Sequence, residues 1–567
     1  MEKDWDYVDV DEKDSSRLID ELKISKIVAE LLTSRGITDI EEARRFLNPM
    51  LENLHDPFLM KGMKAGVFRI KKAIGDKEKI MIFGDFDVDG ITSTTTLNNI
   101  LKNLGGDVSY YFPNRLIEGY GLNKNAIDRA VFDKRSLIIT VDCGITAVEE
   151  VEYANEKGID IIIIDHHEQK EVVPNAVAVI DPKQNGCMYP FKQLAAVGVV
   201  FKVAQALVKE MNSNFDIISL LDFVSLGTVS DLVPLIGENR IIVKYGLDQI
   251  TKTKNPGLRA LIKVSQLKDK DINVGHISFA LGPRINSSGR LETADKVMKL
   301  FNTDDENLAN EIAKQLDENN TKRRELQQTI FNQAMEKIKT EVDFEKDNCI
   351  VIAGKGWHRG VVGIVASKII EEYNRPTILI ALGENGIGHG SARSIPAFHL
   401  LNAMTASKDW MESFGGHSQA AGLSIKEENI DGLRNSINEY SKTKLTKKDL
   451  VPVLKINTDI DLSEVDFKLI EEVHSLYPYG FGNPSPLFSC SNLSLVEDPR
   501  VLKEKHLKLK LKNDRVKDIG AIGFGLSNLS WEVIKNNGKI KVAFFPEINE
   551  WNGNISIQLG LKDIKFD

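Results

Sequence analysis

KIMIFGDFDVDGITS, residues 79–93, decides the reading of this chain. Residues 80–83 are an apolar run of strand length, and Gly84 and Gly90 permit a tight turn. Asp85, Asp87 and Asp89 follow at alternate positions, which on an extended backbone lie on one side. Three carboxylates this close repel one another unless cations neutralise them. Hard divalent ions take oxygen ligands, so two ions of Mg2+ or Mn2+ are expected, and an imidazole in the set tilts the choice toward Mn2+. The pattern has the chemistry of a two-metal phosphoesterase centre.

Downstream segments repeat the arrangement. Residues 137–141 are apolar and end in Asp142-Cys-Gly, and residues 161–164 are four isoleucines ending in Asp165-His166-His167. Apolar strands alternating with helical stretches such as 148–157 indicate a parallel sheet buried on both faces, with ligands gathering at the carboxyl ends of its strands. Asp231 follows a helix-like stretch, 217–226, within Gly-Thr-Val-Ser-Asp-Leu-Val-Pro-Leu. Taken singly, Asp142 or Asp231 reads more often as a cap or turn residue than as a ligand. As a set they are harder to dismiss, and the paired His166-His167 after four isoleucines has no packing reason to exist. Asp165 could equally be a partner that orients a ring nitrogen.

These motifs resemble the four acidic motifs of the DHH phosphoesterase superfamily, in the form found in bacterial RecJ single-strand-specific exonucleases. The resemblance extends over roughly residues 50–490. It includes Pro113-Asn-Arg115-Leu-Ile-Glu118-Gly-Tyr-Gly, Gly282-Pro-Arg284-Ile-Asn286-Ser-Ser-Gly-Arg290-Leu, Gly356-Trp-His358-Arg359-Gly, Gly390-Ser391-Ala-Arg393-Ser and Gly415-Gly416-His417. It implies a 5′-to-3′ exonuclease that releases 5′-mononucleotides from single-stranded DNA in repair and recombination. Asp142 is then the acid shared by two ions, Asp85 and Asp87 complete one site, and Asp89, His166 and Asp231 complete the other. His167 is expected at the scissile phosphate or orienting a ligand. Arg115, Arg290, Ser391 and Arg393 match positions used around a 5′-terminal phosphate, with Arg284 competing with Arg290. His358, Arg359, Gly415, Gly416 and His417 are implied as further substrate or phosphate contacts. Asp85 stands where many DHH phosphatases have His, so an oxygen-rich first site is expected. A single-stranded-DNA-binding protein and a RecQ-type helicase are implied as partners.

Composition frames this reading. At 567 residues with 42% hydrophobic and 27% charged residues, the chain can bury several cores. No signal peptide or membrane-spanning run is evident, and four scattered cysteines suit a reducing cytoplasm. The net charge of −9 argues against nonspecific nucleic-acid binding on average, but a strand-threading enzyme needs positive charge only along its track.

The expected organisation is a multidomain α/β protein. A helical extension covers 1–59, with helices at 15–32 and 39–47, and a DHH catalytic domain with a parallel sheet covers 60–303. A connecting amphipathic helix within 304–345 has Leu308, Ile312, Leu316, Leu326, Ile330, Ala334 and Ile338 on its apolar face. Its Thr321-Lys-Arg-Arg324 segment reads as a solvated charged face. A DHH-associated α/β domain covers 346–448, with a strand at 349–353, a helix at 361–373 and a glycine-rich turn between them suited to an anion. An OB-like barrel of about five strands covers 449–567, with Asn552-Gly553 as a hairpin turn. Lys503, Lys505, Lys508, Lys510, Lys512 and Arg515 offer charge and Trp551 or Phe544 stacking for a single strand, although such lysines also blunt an edge strand. A DHH phosphatase acting on nanoRNA or small phosphoesters and a noncatalytic DHH replication scaffold are the rival readings. The barrel disfavours the first, and the intact acid set disfavours the second.

Overall fold

The structure, a computed structural model, describes residues 3–114, 118–291, 293–551 and 553–566; of Arg290, Leu291 and Trp551 it describes the backbone alone. The chain forms two compact units, one of residues 7–317 and 455–567, the other of residues 1–6 and 318–454.

The larger unit is built on a five-stranded, all-parallel sheet in the order Asp107–Tyr111, Lys79–Gly84, Leu137–Val141, Asp160–Ile164, Ala178–Ile180. The apolar runs form strands because both faces of this sheet are covered. Ile80, Ile82, Leu137, Ile139, Ile162 and Ile164 enter one core, while Met81, Phe83, Ile138, Ile161 and Ile163 enter the core on the opposite face. Strand order reverses between Lys79–Gly84 and Leu137–Val141, and a ligand crevice forms at the carboxyl ends of strands flanking such a reversal. Asp85 and Asp142 immediately follow these two strands.

Helices then dominate. The expected helix at 217–226 is a 3₁₀ turn, Ile217–Leu220, running into an α-helix, Leu221–Ser230. The expected helix at 15–32 is two helices, Glu12–Leu22 and Lys26–Thr33. Lys23 ends the first in the left-handed region at φ 57°, and the Ser25 side chain caps the second. These N-terminal helices share one core with the C-terminal strands, Leu32 and Phe46 belonging to the same cluster as Phe488 and Phe544. Of seven strands in that last sheet, five close a ring: Phe488–Leu495, Ile540–Trp551, Asn554–Phe566, Ile519–Gly523 and His506–Lys512. The expected hairpin is present, with Trp551 opposite Asn554, while Asn552 lies outside the described residues.

The second unit has a mixed five-stranded sheet in the order Ser413–Gly416, Ala420–Lys426, Ile387–Arg393, Thr377–Leu382, Ile350–Lys355, with the helix Val362–Tyr373 against it. One continuous helix, Glu306–Glu341, belongs to both units. Ile312 and Leu316 on its first half enter the core of the first unit, and Ile330, Ala334 and Ile338 enter that of the second. Leu326, expected on the apolar face, is exposed, and Arg323 is instead turned inward onto Asn320 and Gln327. Among the described residues no helix is long and apolar enough to cross a membrane.

Candidate metal centre

The turn after Lys79–Gly84 runs directly into the helix Val88–Asn103. Asp87 is that helix's N-cap, its Oδ1 accepting from Gly90 N at 3.0 Å. A side chain at Gly90 would come within 2.3 Å of the Asp85 carbonyl, so only glycine permits this turn. Asp89, in the first helical turn, accepts from Ala196 N at 2.8 Å and Val197 N at 2.9 Å, the two leading amides of the helix Ala196–Glu210. Asp142 sits in the left-handed region at φ 62°, a strained conformation for a residue with a side chain.

This folding brings the acids together. Ligand atoms of Asp85, Asp87 and Asp142 lie within 4.8 Å of one another, as do those of Asp89, His166 and Asp231, and those of Asp142, His166 and His167. His166 joins the first two groups, with Nε2 3.3 Å from Asp142 Oδ1 and Nδ1 3.7 Å from Asp231 Oδ2.

The electrostatics favour a cation. Burial, then the neighbouring Asp87, pushes Asp89 up to about 7. Burial, then Asp89 and Asp87, pushes Asp231 up to about 9. Asp142 is raised well above the carboxylate range by burial and by Asp89, Asp87 and Asp85. The two histidines diverge. Burial and then the charge of His167 hold His166 down at about 3, hence neutral, and among the described residues neither of its ring nitrogens has a hydrogen-bond partner. Burial also opposes the charge on His167, but the hydrogen bond and charge of Asp165 outweigh it and push His167 up to about 9. A buried neutral imidazole with an open lone pair among self-repelling carboxylates fits divalent cations with oxygen and nitrogen ligands.

Asp165 is fully engaged otherwise. It accepts from Ile145 N, His166 N and His167 N, and lies 2.7 Å from His167 Nδ1, so it orients a ring, and the ring is that of His167. Two residues near the centre were given no role by the sequence reading. Tyr120 OH donates to the Asp142 carbonyl at 3.1 Å, and its ring meets His167 edge-on. Asp181, fully buried and pushed by burial up to about 7, follows the strand Ala178–Ile180, an apolar run ending in an acid like the other three.

Elsewhere the candidates divide. Arg284 pairs with Asp317 at 2.8 and 2.9 Å and donates to the Ala280 carbonyl. Arg115 lies outside the described residues, as does the side chain of Arg290. In the second unit, Ser391 and Arg393 are two apart on one strand and linked at 3.2 Å from Nη1 to Oγ. A side chain at Gly363 would meet both, so the first turn of the helix Val362–Tyr373 lies directly on them. His358 and Arg359 occupy the turn entering that helix, where Gly360 N donates to His358 Nδ1. Gly415, Gly416 and His417 lie exposed on and beside the edge strand Ser413–Gly416. In the barrel, Lys508 and Lys512 are exposed, Lys510 is paired with Asp518, and the Trp551 side chain lies outside the described residues. Phe544 is fully buried against Phe488, because its position on the strand faces the barrel interior, so it cannot stack on a base.

Comparison with known proteins agrees with this geometry. Residues 79–228 match the DHH family N-terminal domain, 346–443 the DHHA1 domain and 456–563 the RecJ OB domain. The chain is 39% identical over 563 residues to the single-stranded-DNA-specific exonuclease RecJ of Bacillus subtilis, covering 99% of this chain and 70% of that protein. With RecJ of Escherichia coli it shares 32% identity over 569 residues, 96% of either protein. The chain belongs to the RecJ family. Among solved structures, RecJ of Thermus thermophilus in complex with Mn2+ matches with a TM-score of 0.85 at 26% identity, covering all of this chain and 80% of that one. The Thermus RecJ has also been solved with Mg2+, so this fold holds both ions that the donor set here suits.

Proposed function

We propose that this chain is a single-stranded-DNA-specific exonuclease that works from the 5′ end, releasing 5′-mononucleotides by two-metal hydrolysis. One observation carries the reading: two three-residue donor groups, Asp85, Asp87, Asp142 and Asp89, His166, Asp231, linked through the contact of Asp142 with His166. The first group would hold one ion and the second the other, with Asp142 common to both. Two such ions polarise an attacking water and compensate charge on the phosphate oxygens. The protein's own groups do the rest. Asp165 holds His167 as a cation through Nδ1, leaving Nε2–H to donate to a phosphate oxygen. Asp89, fixed by two helix amides, sets the position of its turn. Release of a 5′-mononucleotide breaks the bond from phosphorus to the 3′-oxygen, which needs no covalent intermediate on the protein.

Ser391 and Arg393, beneath a helix N-terminus, are the proposed holders of the 5′-terminal phosphate. Lys508 and Lys512 are proposed to track the strand backbone. A cytoplasmic setting, and work alongside a single-stranded-DNA-binding protein and a RecQ-type helicase in repair and recombination, accord with family membership.

The test is Asp142→Ala, assayed on 5′-labelled and 3′-labelled single strands with Mn2+ and with chelator. Cleavage should be abolished while strand binding survives. Mn2+-dependent turnover above about a few per cent of wild type, set against the 10–100-fold that even an indirect metal contact costs, would refute the assignment.

A further inference from the structure

Asp231 ends the helix Leu221–Ser230, and the turn that follows carries it. That turn, residues 232–236, is gripped by the glycine- and proline-rich segment 477–484, Tyr-Pro-Tyr-Gly-Phe-Gly-Asn-Pro, to which the metal chemistry gives no role. Leu235 N donates to the Phe481 carbonyl at 2.7 Å. A side chain at Gly482, which sits at φ 72°, would come within 2.5 Å of Pro234 Cβ and 2.9 Å of its Cα. At Gly480 it would come within 2.6 Å of Leu235 Cδ1. Gly482 must lack a side chain, because its neighbour is the Pro234 ring and backbone, whereas at Gly480 the neighbour is a flexible Leu235 methyl.

The segment is itself immobilised by two buried groups. Arg240, 1% exposed, donates to the carbonyls of Leu476, Ser475 and Phe46 at 2.8, 3.0 and 2.9 Å, with its guanidinium 4.1 Å from the Phe46 ring. Asn483, fully buried, donates to the Leu476 and Pro478 carbonyls and accepts from Arg35 Nε. Arg240 lies on the helix Gly237–Thr251 that the turn leads into, and Asn239 beside it donates to the Pro234 carbonyl at 3.0 Å. The turn after Asp231 is therefore held from the barrel side by the 477–484 segment and from its own downstream helix by Asn239.

We propose that the 477–484 segment is a positioning element for the metal centre, with Gly480, Gly482 and the Phe481 carbonyl fixing the turn that presents Asp231. The proposal rests on Asp231 serving one of two ions. It assigns the segment to the ion held by Asp89, His166 and Asp231, and leaves the Asp85, Asp87 and Asp142 ion independent of it.

The experiment measures Mn2+ binding to the intact protein by calorimetry and by electron paramagnetic resonance, with thermal melting and with strand binding in chelator as readouts of fold. Gly482→Ala should weaken one of the two Mn2+ sites by roughly 10–100-fold, the range for groups that orient a ligand, with strand binding unchanged. Gly480→Ala should act in the same direction and less, because the Leu235 methyl can swing aside. If both variants melt like the parent and bind two Mn2+ with its affinities, the proposal is overturned. An unfolded Gly482→Ala beside an unchanged Gly480→Ala overturns it equally. A parent that binds fewer than two Mn2+ would instead refute the two-metal reading.

Discussion

His166 and His167 are adjacent in sequence and face opposite partners. His167 Nδ1 lies 2.7 Å from Asp165 Oδ1, while the His166 ring has Asp142 Oδ1 at 3.3 Å and Asp231 Oδ2 at 3.7 Å. One ring is kept charged by a saturated carboxylate, and the other is kept neutral by burial, so the pair divides the labour of charge donor and metal ligand.

That division predicts different kinetic defects. His166→Ala should weaken Mn2+ affinity by at least about 10–100-fold, and raising Mn2+ should recover part of the activity. His167→Ala should leave Mn2+ affinity intact and lower kcat by roughly 10²–10³, the range for a lost charge-stabilising donor. Metal titrations of both variants decide it, and identical metal dependence in the two would remove the distinction.

Arg393→Ala should abolish the preference for 5′-phosphorylated over 5′-hydroxyl strands. A charged hydrogen bond contributes about 1.5–3 kcal/mol, so the ratio of kcat/KM for the two ends should fall by roughly 10–150-fold in the variant. Ser391→Ala should give a smaller loss, since a neutral donor is removed. A parent without preference, or a variant that keeps it, returns Arg393 to a structural role.

Much of the fold was legible because burial on both faces leaves a plain trace: uninterrupted apolar runs at 80–83, 137–141 and 161–164, each followed by an acid. The gathering of the candidate ligands was legible for the same reason, since strand ends of a parallel sheet converge. What the sequence hid depends on distant partners. Arg284 is neutralised by Asp317, 33 residues away on another helix. Phe544 faces inward because of its register opposite Phe488. The break at Lys23 occurs inside a pattern that stays helical on both sides. Nothing in Asp-His-His alone says which ring Asp165 holds.

The barrel shares its core with the N-terminal helices, so charge reversal tests strand binding more cleanly than deletion. Lys508→Glu with Lys512→Glu should weaken binding to long single strands and flatten its salt dependence by roughly 0.7 in log–log slope per lost phosphate contact. Hydrolysis of very short oligonucleotides should be spared. An unchanged salt slope would mean that these lysines only guard an edge.

Stability should also carry a pH signature away from the metal centre. Asp222 is buried, its Oδ1 accepting from Phe223 N at 2.7 Å and its Oδ2 from Thr253 Oγ1 at 2.8 Å, and burial outweighs both bonds to push it up to about 6 from 3.8. The folded state thus binds this proton more tightly than the unfolded state. Its contribution to stability is full below 3.8 and is lost as pH rises through about 6, because above that the native state must carry a buried charge. At about 1.4 kcal/mol per unit, the loss approaches roughly 3 kcal/mol by pH 8. Asp222→Asn keeps an acceptor for Phe223 N and offers an N–H to the Thr253 hydroxyl without the charge. Melting temperatures of the two proteins, taken in chelator from pH 4 to pH 8, should diverge in favour of the variant as pH rises. Parallel curves across that range would show that Asp222 ionises in the fold as easily as in water.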